Sequence, residues 1–98
     1  MFILQPFKNK YMAIMIVRHR AVDMAAWKQI FDDTSHKRRN AGCSKDEIFV
    51  SQSDANEVAV FTHWESISQA KNFSQSTELK EDMMKAGIVG PPTIYFID

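Results

Sequence analysis

The residues of this sequence that can move a proton near neutral pH are its 3 histidines, His19, His36 and His63. His63 stands directly before Trp64 at the end of an apolar run. An imidazole in such a place can act as a general base in proton abstraction. The alternative is a structural histidine that forms a hydrogen bond across an interface. We take His63 and His36 as the candidate catalytic residues.

His36 lies in a cationic segment together with Arg38 and Arg39. Such a cluster can bind a carboxylate or a phenolate at the mouth of a pocket. A solvated helix end explains the same residues, because cations stabilise the negative end of the helix dipole. The segment Arg18-His19-Arg20 leaves the same two interpretations open.

The sequence predicts no metal site and no cysteine nucleophile. No two histidines lie four residues apart, the spacing that places two imidazoles on one face of a helix. The single cysteine, Cys43, lacks the neighbouring residues that are typical of an activated thiol. We therefore expect Cys43 to be a small buried residue.

The strands that must position these side chains are predicted from runs of β-branched and aromatic residues. Within the third run, Val58, Val60 and Trp64 are expected to face one way and Ala59 and Phe61 the other. Proline cannot donate a ladder hydrogen bond, so the Gly-Pro-Pro segment is expected to precede the last strand. The predicted strands cover residues 11–17, 47–52, 57–64 and 93–97.

Two helices are predicted between these strands. The first covers residues 24–41, because Asp23 is a typical N-cap and Gly42 is a typical helix-ending residue. Its buried stripe is expected at Trp27, Ile30, Phe31 and Thr34. The second is expected to begin at Ser66 or Ser68, break near Ser76 or Thr77, and end near Gly87.

The order β-α-β-β-α-β predicts an α+β, ferredoxin-like fold with a four-stranded antiparallel sheet and the helices on one face. A sheet with one wet face should alternate apolar and polar residues. Residues 12–17, 58–61 and 94–97 are apolar on both faces. We therefore predict that a second copy covers the bare face, in a homodimer that buries roughly 1,600 Å² or more.

Length and composition exclude several classes of protein. The chain has 98 residues, enough for one core, and we expect an N-terminal extension over residues 1–11 and a single domain over residues 12–98. A net charge of +0 argues against nucleic-acid binding. No apolar run is long enough for a membrane span, and no basic residue precedes the short apolar N-terminus as in a secretory signal. With 1 cysteine, the chain is predicted to be cytoplasmic.

Several segments carry a resemblance to a known family. Trp64-Glu65-Ser66, followed by Ala70, Phe73 and Ser76, resembles the signature that closes the third strand and opens the second helix of antibiotic biosynthesis monooxygenase-like proteins in the dimeric α+β barrel superfamily. Over residues 12–98 the chain also resembles a bacterial branch of this superfamily whose members are labelled cyclase-like or monooxygenase-like. The segments that carry this wider similarity are residues 23–32, 54–58, 76–83 and 86–92.

The resemblance implies a pocket between the sheet and the helices, near Trp64. Where many relatives have a glutamate two residues before this tryptophan, the chain has Thr62, and where many have a pocket histidine it has Phe73. The first strand also lacks the asparagine of several oxygenases, so the expected pocket is mostly apolar. Trp64 can stack on a planar ligand, or it can be a core residue that anchors strand to helix. The predicted walls are Trp64, Trp27, Phe73, Tyr95 and Thr62.

The function expected from the resemblance is that of a homodimer that binds a planar aromatic or polyketide-like compound. As an enzyme it would work without metal, flavin or other cofactor, as a monooxygenase or as a cyclase or isomerase with histidine-assisted proton transfer. A ligand-binding module without turnover and a purely structural dimer are the alternatives. An open space near Trp64 of roughly 300 Å³ or more would favour ligand binding.

Overall fold

A computed structural model describes residues 13–98 of the chain. The predicted extension over residues 1–11 and the predicted domain start at Met12 lie outside these residues. Four strands and four helices form the described part. In chain order they are β1 (Ala13–Ala21), α1 (Met24–Asp33), α2 (Ser35–Ala41), β2 (Cys43–Val50), β3 (Glu57–Trp64), α3 (Ile67–Ser74), α4 (Thr77–Lys85) and β4 (Ile88–Ile97).

The strands form one antiparallel sheet in the order β2-β3-β1-β4. Val58, Val60 and Trp64 of β3 are buried, while Ala59 and Phe61 are only partly covered. The buried residues pack against the helices, which therefore lie on one face of the sheet. The ferredoxin-like α+β fold and the alternation of β3 are confirmed.

The first predicted helix is two helices. Asp23 caps α1 by accepting hydrogen bonds from the backbone N–H groups of Ala25 and Ala26, and Gly42 ends α2 with a φ of 113°. The break at Thr34 was not predicted from the sequence. There the Thr34 hydroxyl donates to the Ile30 carbonyl at 2.8 Å, a local bond that competes with the helix ladder.

The second predicted helix is also two helices, as expected. Ser66 caps α3 by accepting from the Gln69 backbone N–H, and Ser76 caps α4 by accepting from that of Leu79. Ser66 rather than Ser68 is therefore the start signal. None of the residues of α4 is fully buried, so this helix is held mainly by partly buried side chains.

Four strand boundaries predicted from the sequence are wrong. β1 continues four residues past Val17 to Ala21, and β2 covers Cys43–Val50 rather than residues 47–52. β4 begins at Ile88, so the segment Gly90-Pro91-Pro92 lies inside a strand instead of before it. The prolines are tolerated because β4 is an edge strand and its pairing with β1 shifts register between Arg18 and Arg20.

The face of the sheet opposite the helices is rich in apolar side chains. Pairing places Ile16 opposite Phe61 on one side and opposite Tyr95 on the other, and Phe49 lies edge-on to Phe61 at 5.3 Å. Tyr95 is 55% exposed and Phe49 54% exposed. No helix among the described residues covers this face, which we call the open face. Its apolar members are Ile14, Ile16, Phe49, Ala59, Phe61, Tyr95 and Ile97.

Candidate functional site

A cavity of about 70 Å³ lies between the sheet and the helices. It is smaller than the roughly 300 Å³ that would favour ligand binding, so the size of the cavity by itself favours the alternative of a structural dimer. Flexible side chains such as Leu79 and Met83 of α4 form part of its wall. The walls are Met15, Val17 and His19 of β1; Trp27, Ile30 and Phe31 of α1; Thr34 and Arg38; Val60 and Thr62 of β3; Phe73 of α3; and Leu79, Asp82, Met83 and Ala86.

His19 is the polar side chain of this cavity that has no internal partner. It is 7% exposed, and its ring centroid lies 5.6 Å from that of Trp27. Neither ring nitrogen has a hydrogen-bond partner among residues 13–98. Burial lowers the pKa of His19 from 6.5 to about 4, so the imidazole is neutral at neutral pH. A neutral imidazole offers one N–H donor and one acceptor nitrogen, which suits a hydroxyl group.

Arg38 is the buried cation of the cavity wall. It lies over the Phe31 ring at 3.7 Å and donates to the Phe31 carbonyl and the Thr34 hydroxyl. Its Nε donates to Asp46 Oδ2 at 3.1 Å, and Arg39 donates to the same oxygen at 2.6 Å. Burial alone would raise the pKa of Asp46, but these two arginines outweigh it and lower that pKa. The network fixes Arg38 in place.

Cys43 is buried beside this network. Its Sγ lies 3.2 Å from Asp46 Oδ1 and 3.2 Å from the Arg39 guanidinium. Burial and the neighbouring Asp46 raise the pKa of the Cys43 thiol. A thiol that stays protonated is a poor nucleophile, so this residue has a structural role.

Thr62 and Trp64 are joined by a side-chain hydrogen bond next to the cavity. The Trp64 indole N–H donates to Thr62 Oγ1 at 2.7 Å, and the Thr62 hydroxyl donates to the Met15 carbonyl at 2.9 Å. Trp64 is fully buried and does not line the cavity, although its ring lies 5.3 Å from that of Phe73. The anchoring role considered for Trp64 fits this geometry, while Thr62 forms part of the wall.

The two candidate catalytic histidines lie away from the cavity. His63 is on the open face, where its Nε2 lies 2.8 Å from Glu47 Oε1, and this hydrogen bond lowers the pKa of Glu47. His36 is on α2, at the surface. Tyr95 is also on the open face and cannot reach the cavity. Of the predicted site residues, Trp27, Phe73 and Thr62 are brought together.

His36 lines a second space, an outer groove of about 410 Å³ between α2, α3 and α4. Phe73 lines both this groove and the cavity. Lys37 of the groove donates to Asp82 of the cavity wall at 3.1 Å. The residues that line the groove are His36, Lys37, Asn40, Ala41, Phe73 and Glu78.

His19 is the cavity residue that the sequence left open between a pocket mouth and a solvated strand end, and it was not among the predicted site residues. It follows Met15 and Val17 at every second position, which places all three on the helix-covered face. The flanking Arg18 and Arg20 suggested a solvated strand end, so the alternation of buried residues was not followed as far as His19. Had the strand been extended to residue 21, the same alternation would have predicted a buried histidine.

Within residues 13–98, no three histidine, cysteine or acidic side chains are close enough together to hold a metal ion. No helix in that range has the length and apolar character needed to cross a membrane.

Comparisons with known proteins identify the family and the fold. Residues 11–83 match the sequence model of the family described as antibiotic biosynthesis monooxygenase. No curated protein matches at a significant level.

Solved structures share the fold. A protein of Bordetella bronchiseptica assigned to the antibiotic biosynthesis monooxygenases has a TM-score of 0.77 at 16% identity, over 89% of this chain and 95% of that one. A monooxygenase of Streptomyces coelicolor, solved in complex with nanaomycin D, has a TM-score of 0.67 at 20% identity, over 96% of this chain and 92% of that one. The cofactor-independent oxygenase SnoaB of Streptomyces nogalater has a TM-score of 0.69 at 9% identity, over 89% of this chain and 93% of that one.

Proposed function

This chain belongs to the antibiotic biosynthesis monooxygenase family, and we propose that its cavity binds a planar, hydroxylated aromatic or polyketide-like compound. The observation that carries the proposal is His19, a buried, neutral imidazole without a partner among the described residues, in a mostly apolar cavity whose other polar side chains are paired. An unpaired buried polar group is costly, so a ligand hydroxyl that pairs with it is favoured. The Trp27 ring beside it offers an aromatic surface to a planar compound.

As an enzyme, the protein would be a cofactor-independent monooxygenase or a cyclase or isomerase. His19 would accept the hydroxyl proton and leave an electron-rich phenolate or enolate. In an oxygenation, that compound supplies both reducing electrons to dioxygen. One oxygen atom becomes a ring carbonyl, and the other leaves as water with the two hydrogens that the substrate loses.

The alternative is ligand binding without turnover, and one observation favours it. A histidine whose pKa lies at about 4 is a weak base for a phenol, whose hydroxyl ionises near pH 10. The same imidazole can still hold the hydroxyl by hydrogen bonds. Turnover therefore has to be measured separately from binding.

We also propose that the protein is a homodimer that packs through the open face, and that it is cytoplasmic. Support for the dimer comes from the apolar side chains of that face, including Phe49 and Tyr95, which no described helix covers. Exposed apolar surface of this extent is typical of protein interfaces. Support for the location is the single cysteine.

The binding test is equilibrium dialysis of two matched compounds, 2-naphthol and 2-methoxynaphthalene. In the second compound a methyl group replaces the hydroxyl hydrogen, so it cannot donate a hydrogen bond. We expect 2-naphthol to bind more tightly, and His19→Leu to remove that preference because no donor or acceptor remains. Asn72→Leu, a change at an exposed side chain outside both the cavity and the groove, is the control. Equal binding of the two compounds by the unaltered protein would refute the role of His19.

The turnover test follows oxygen uptake and quinone absorbance with 1-naphthol. An oxygenase consumes one dioxygen for each naphthoquinone formed, and His19→Leu abolishes the activity. Binding of naphthol without oxygen uptake or any other chemical change supports the alternative of a binding protein.

The dimer test is the sedimentation or size-exclusion behaviour of Phe61→Asp. A carboxylate in the centre of an apolar interface is unpaired, so we expect monomers or insoluble protein. The control is Val22→Asp, at a side chain that is 71% exposed and away from the open face. A Phe61→Asp variant that remains a native dimer contradicts the proposed interface.

A further inference from the structure

We propose that the cavity and the outer groove are two compartments of one binding site, divided by the Phe73 ring, and that the groove holds a neutral hydroxyl or carbonyl group at the far end of the ligand. This inference rests on the proposed function and specifies its ligand: an elongated ring compound with one hydroxyl at His19 and a second oxygen in the groove.

The first argument is the position of Phe73. This side chain belongs to the walls of both spaces, and it is only partly buried. Its ring is tilted by 42° against the Trp64 ring, which is fixed by its hydrogen bond to Thr62. Because Trp64 is fixed, we assign the passage between the two spaces to a rotation of the Phe73 side chain about its own bonds.

The second argument is the Lys37–Asp82 ion pair. Lys37 lines the groove and Asp82 lines the cavity, and the pair joins α2 to α4 at 3.1 Å. Because α4 has no fully buried residue, this partly buried pair adds to partly buried side chains such as Met83 in holding the helix. One ring and one ion pair therefore belong to the walls of both spaces.

The third argument is size. The cavity of about 70 Å³ leaves little space for a compound of several rings, whereas the groove measures about 410 Å³. A ligand with one ring against His19 and Trp27 must extend past Phe73 if it is longer than that ring. The outer compartment is the space that receives the extension.

The fourth argument is charge, which selects the chemistry of the far end. The Lys37 cation is already matched by Asp82, and Glu78 adds a negative charge to the groove. An anionic group therefore meets no spare positive charge there. His36 and Asn40 are exposed and supply hydrogen-bonding groups, which suit a neutral hydroxyl or carbonyl.

The experiment uses three compounds that share the 2-naphthol ring system and differ at the opposite end: 2-naphthol, 2,6-dihydroxynaphthalene and 6-hydroxy-2-naphthoate. We expect the diol to bind about two- to tenfold more tightly than 2-naphthol, the effect of one neutral hydrogen bond, and the carboxylate to bind more weakly than either. Asn40→Ala should reduce the advantage of the diol. Asn72→Ala, an exposed asparagine on α3 outside the groove, is the matched control.

The role of Phe73 is tested by stopped-flow binding of the diol. Phe73→Ala should raise its association rate by about one decade, because the ring no longer has to move. Phe73→Leu, a milder change, gives a smaller increase and replaces the alanine variant if that variant does not fold.

The outcomes separate this inference from the proposed function. If 2-naphthol binds in a His19-dependent way but the diol gains nothing, or if the carboxylate binds best, the two-compartment site is wrong and the proposed function stands. An association rate that is unchanged in both Phe73 variants also overturns it. If none of the compounds binds, both proposals are wrong.

Discussion

The burial of His19 predicts a pH-dependent loss of stability that one substitution should remove. The pKa of His19 is about 4 in the folded chain and 6.5 in an exposed histidine. Between these two values the unfolded chain binds a proton that the folded chain does not. Stability is therefore complete above about pH 6.5 and decreases as the pH falls towards 4.

The size of this effect follows from the difference between the two pKa values. The full shift is equivalent to at most about 3 kcal/mol of unfolding free energy. At about pH 5 the loss relative to about pH 7.5 is about 2 kcal/mol, since the proton is then bound by nearly all unfolded chains. With a urea dependence of about 1–3 kcal/mol per molar, the midpoint should fall by about 1 M.

The assay is urea unfolding at both pH values and at one protein concentration, for the unaltered protein and for His19→Gln. Glutamine does not titrate, so the variant should lack the His19 part of the pH dependence. All other titrating groups are present in both proteins and cancel in the difference. The surface variant Asn72→Gln, which removes no titratable group, is the control and should follow the unaltered protein. The same decrease in midpoint for His19→Gln and the unaltered protein would refute the neutral buried imidazole.

Three further predictions concern the fold around the site, each measured by urea unfolding at neutral pH. Asp46→Asn should destabilise the chain by about 3 kcal/mol or more, because Arg38 stays buried without its counter-ion, and a loss under about 1 kcal/mol contradicts this. Thr62→Val should cost about 1 to 3 kcal/mol for each hydrogen-bonding group it leaves unpaired, whereas Thr62→Ser should cost much less; equal losses would mean that the hydroxyl is unimportant. Gly42→Ala should cost more than about 1 kcal/mol, because φ is 113° and the new Cβ would lie 2.6 Å from the Gln69 amide, and Gln69→Ala in the same chain should recover only part of it.

Local signals explain why much of the fold was predictable. The caps Asp23, Ser66 and Ser76 and the helix end at Gly42 each act within a few residues, so the sequence shows them directly. The bounds of β3 are as predicted because its alternation and its flanking turn are both local.

The errors come from features that depend on distant parts of the chain. Prolines are permitted in β4 only because that strand lies at the edge of the sheet, which is decided by the strand order. The extent of β1 beyond Val17 depends on its pairing with β3, which continues to Arg20.

The candidate site was less predictable than the fold. Trp27 and Phe73 face the cavity because each lies on the apolar stripe of its helix, and such a stripe can be read from the spacing of apolar residues in the sequence. The separation of Trp64 from the cavity depends on the hydrogen bond to Thr62 and on how α3 packs, and neither is visible in a pattern. Side chains alternate between the two faces along a strand, and this alternation places His19 on the cavity side of the sheet and His63 on the open face.

The two outer strands restrict how copies of this chain can associate. Pro91 and Pro92 have no N–H group to offer along the margin of β4, and Ser44 and Lys45 present polar side chains near a register shift in β2. A further chain that tried to lengthen the sheet sideways would find incomplete hydrogen bonding at either margin. Growth into ribbons or fibres is thereby discouraged, which leaves the open face as the surface for the proposed dimer.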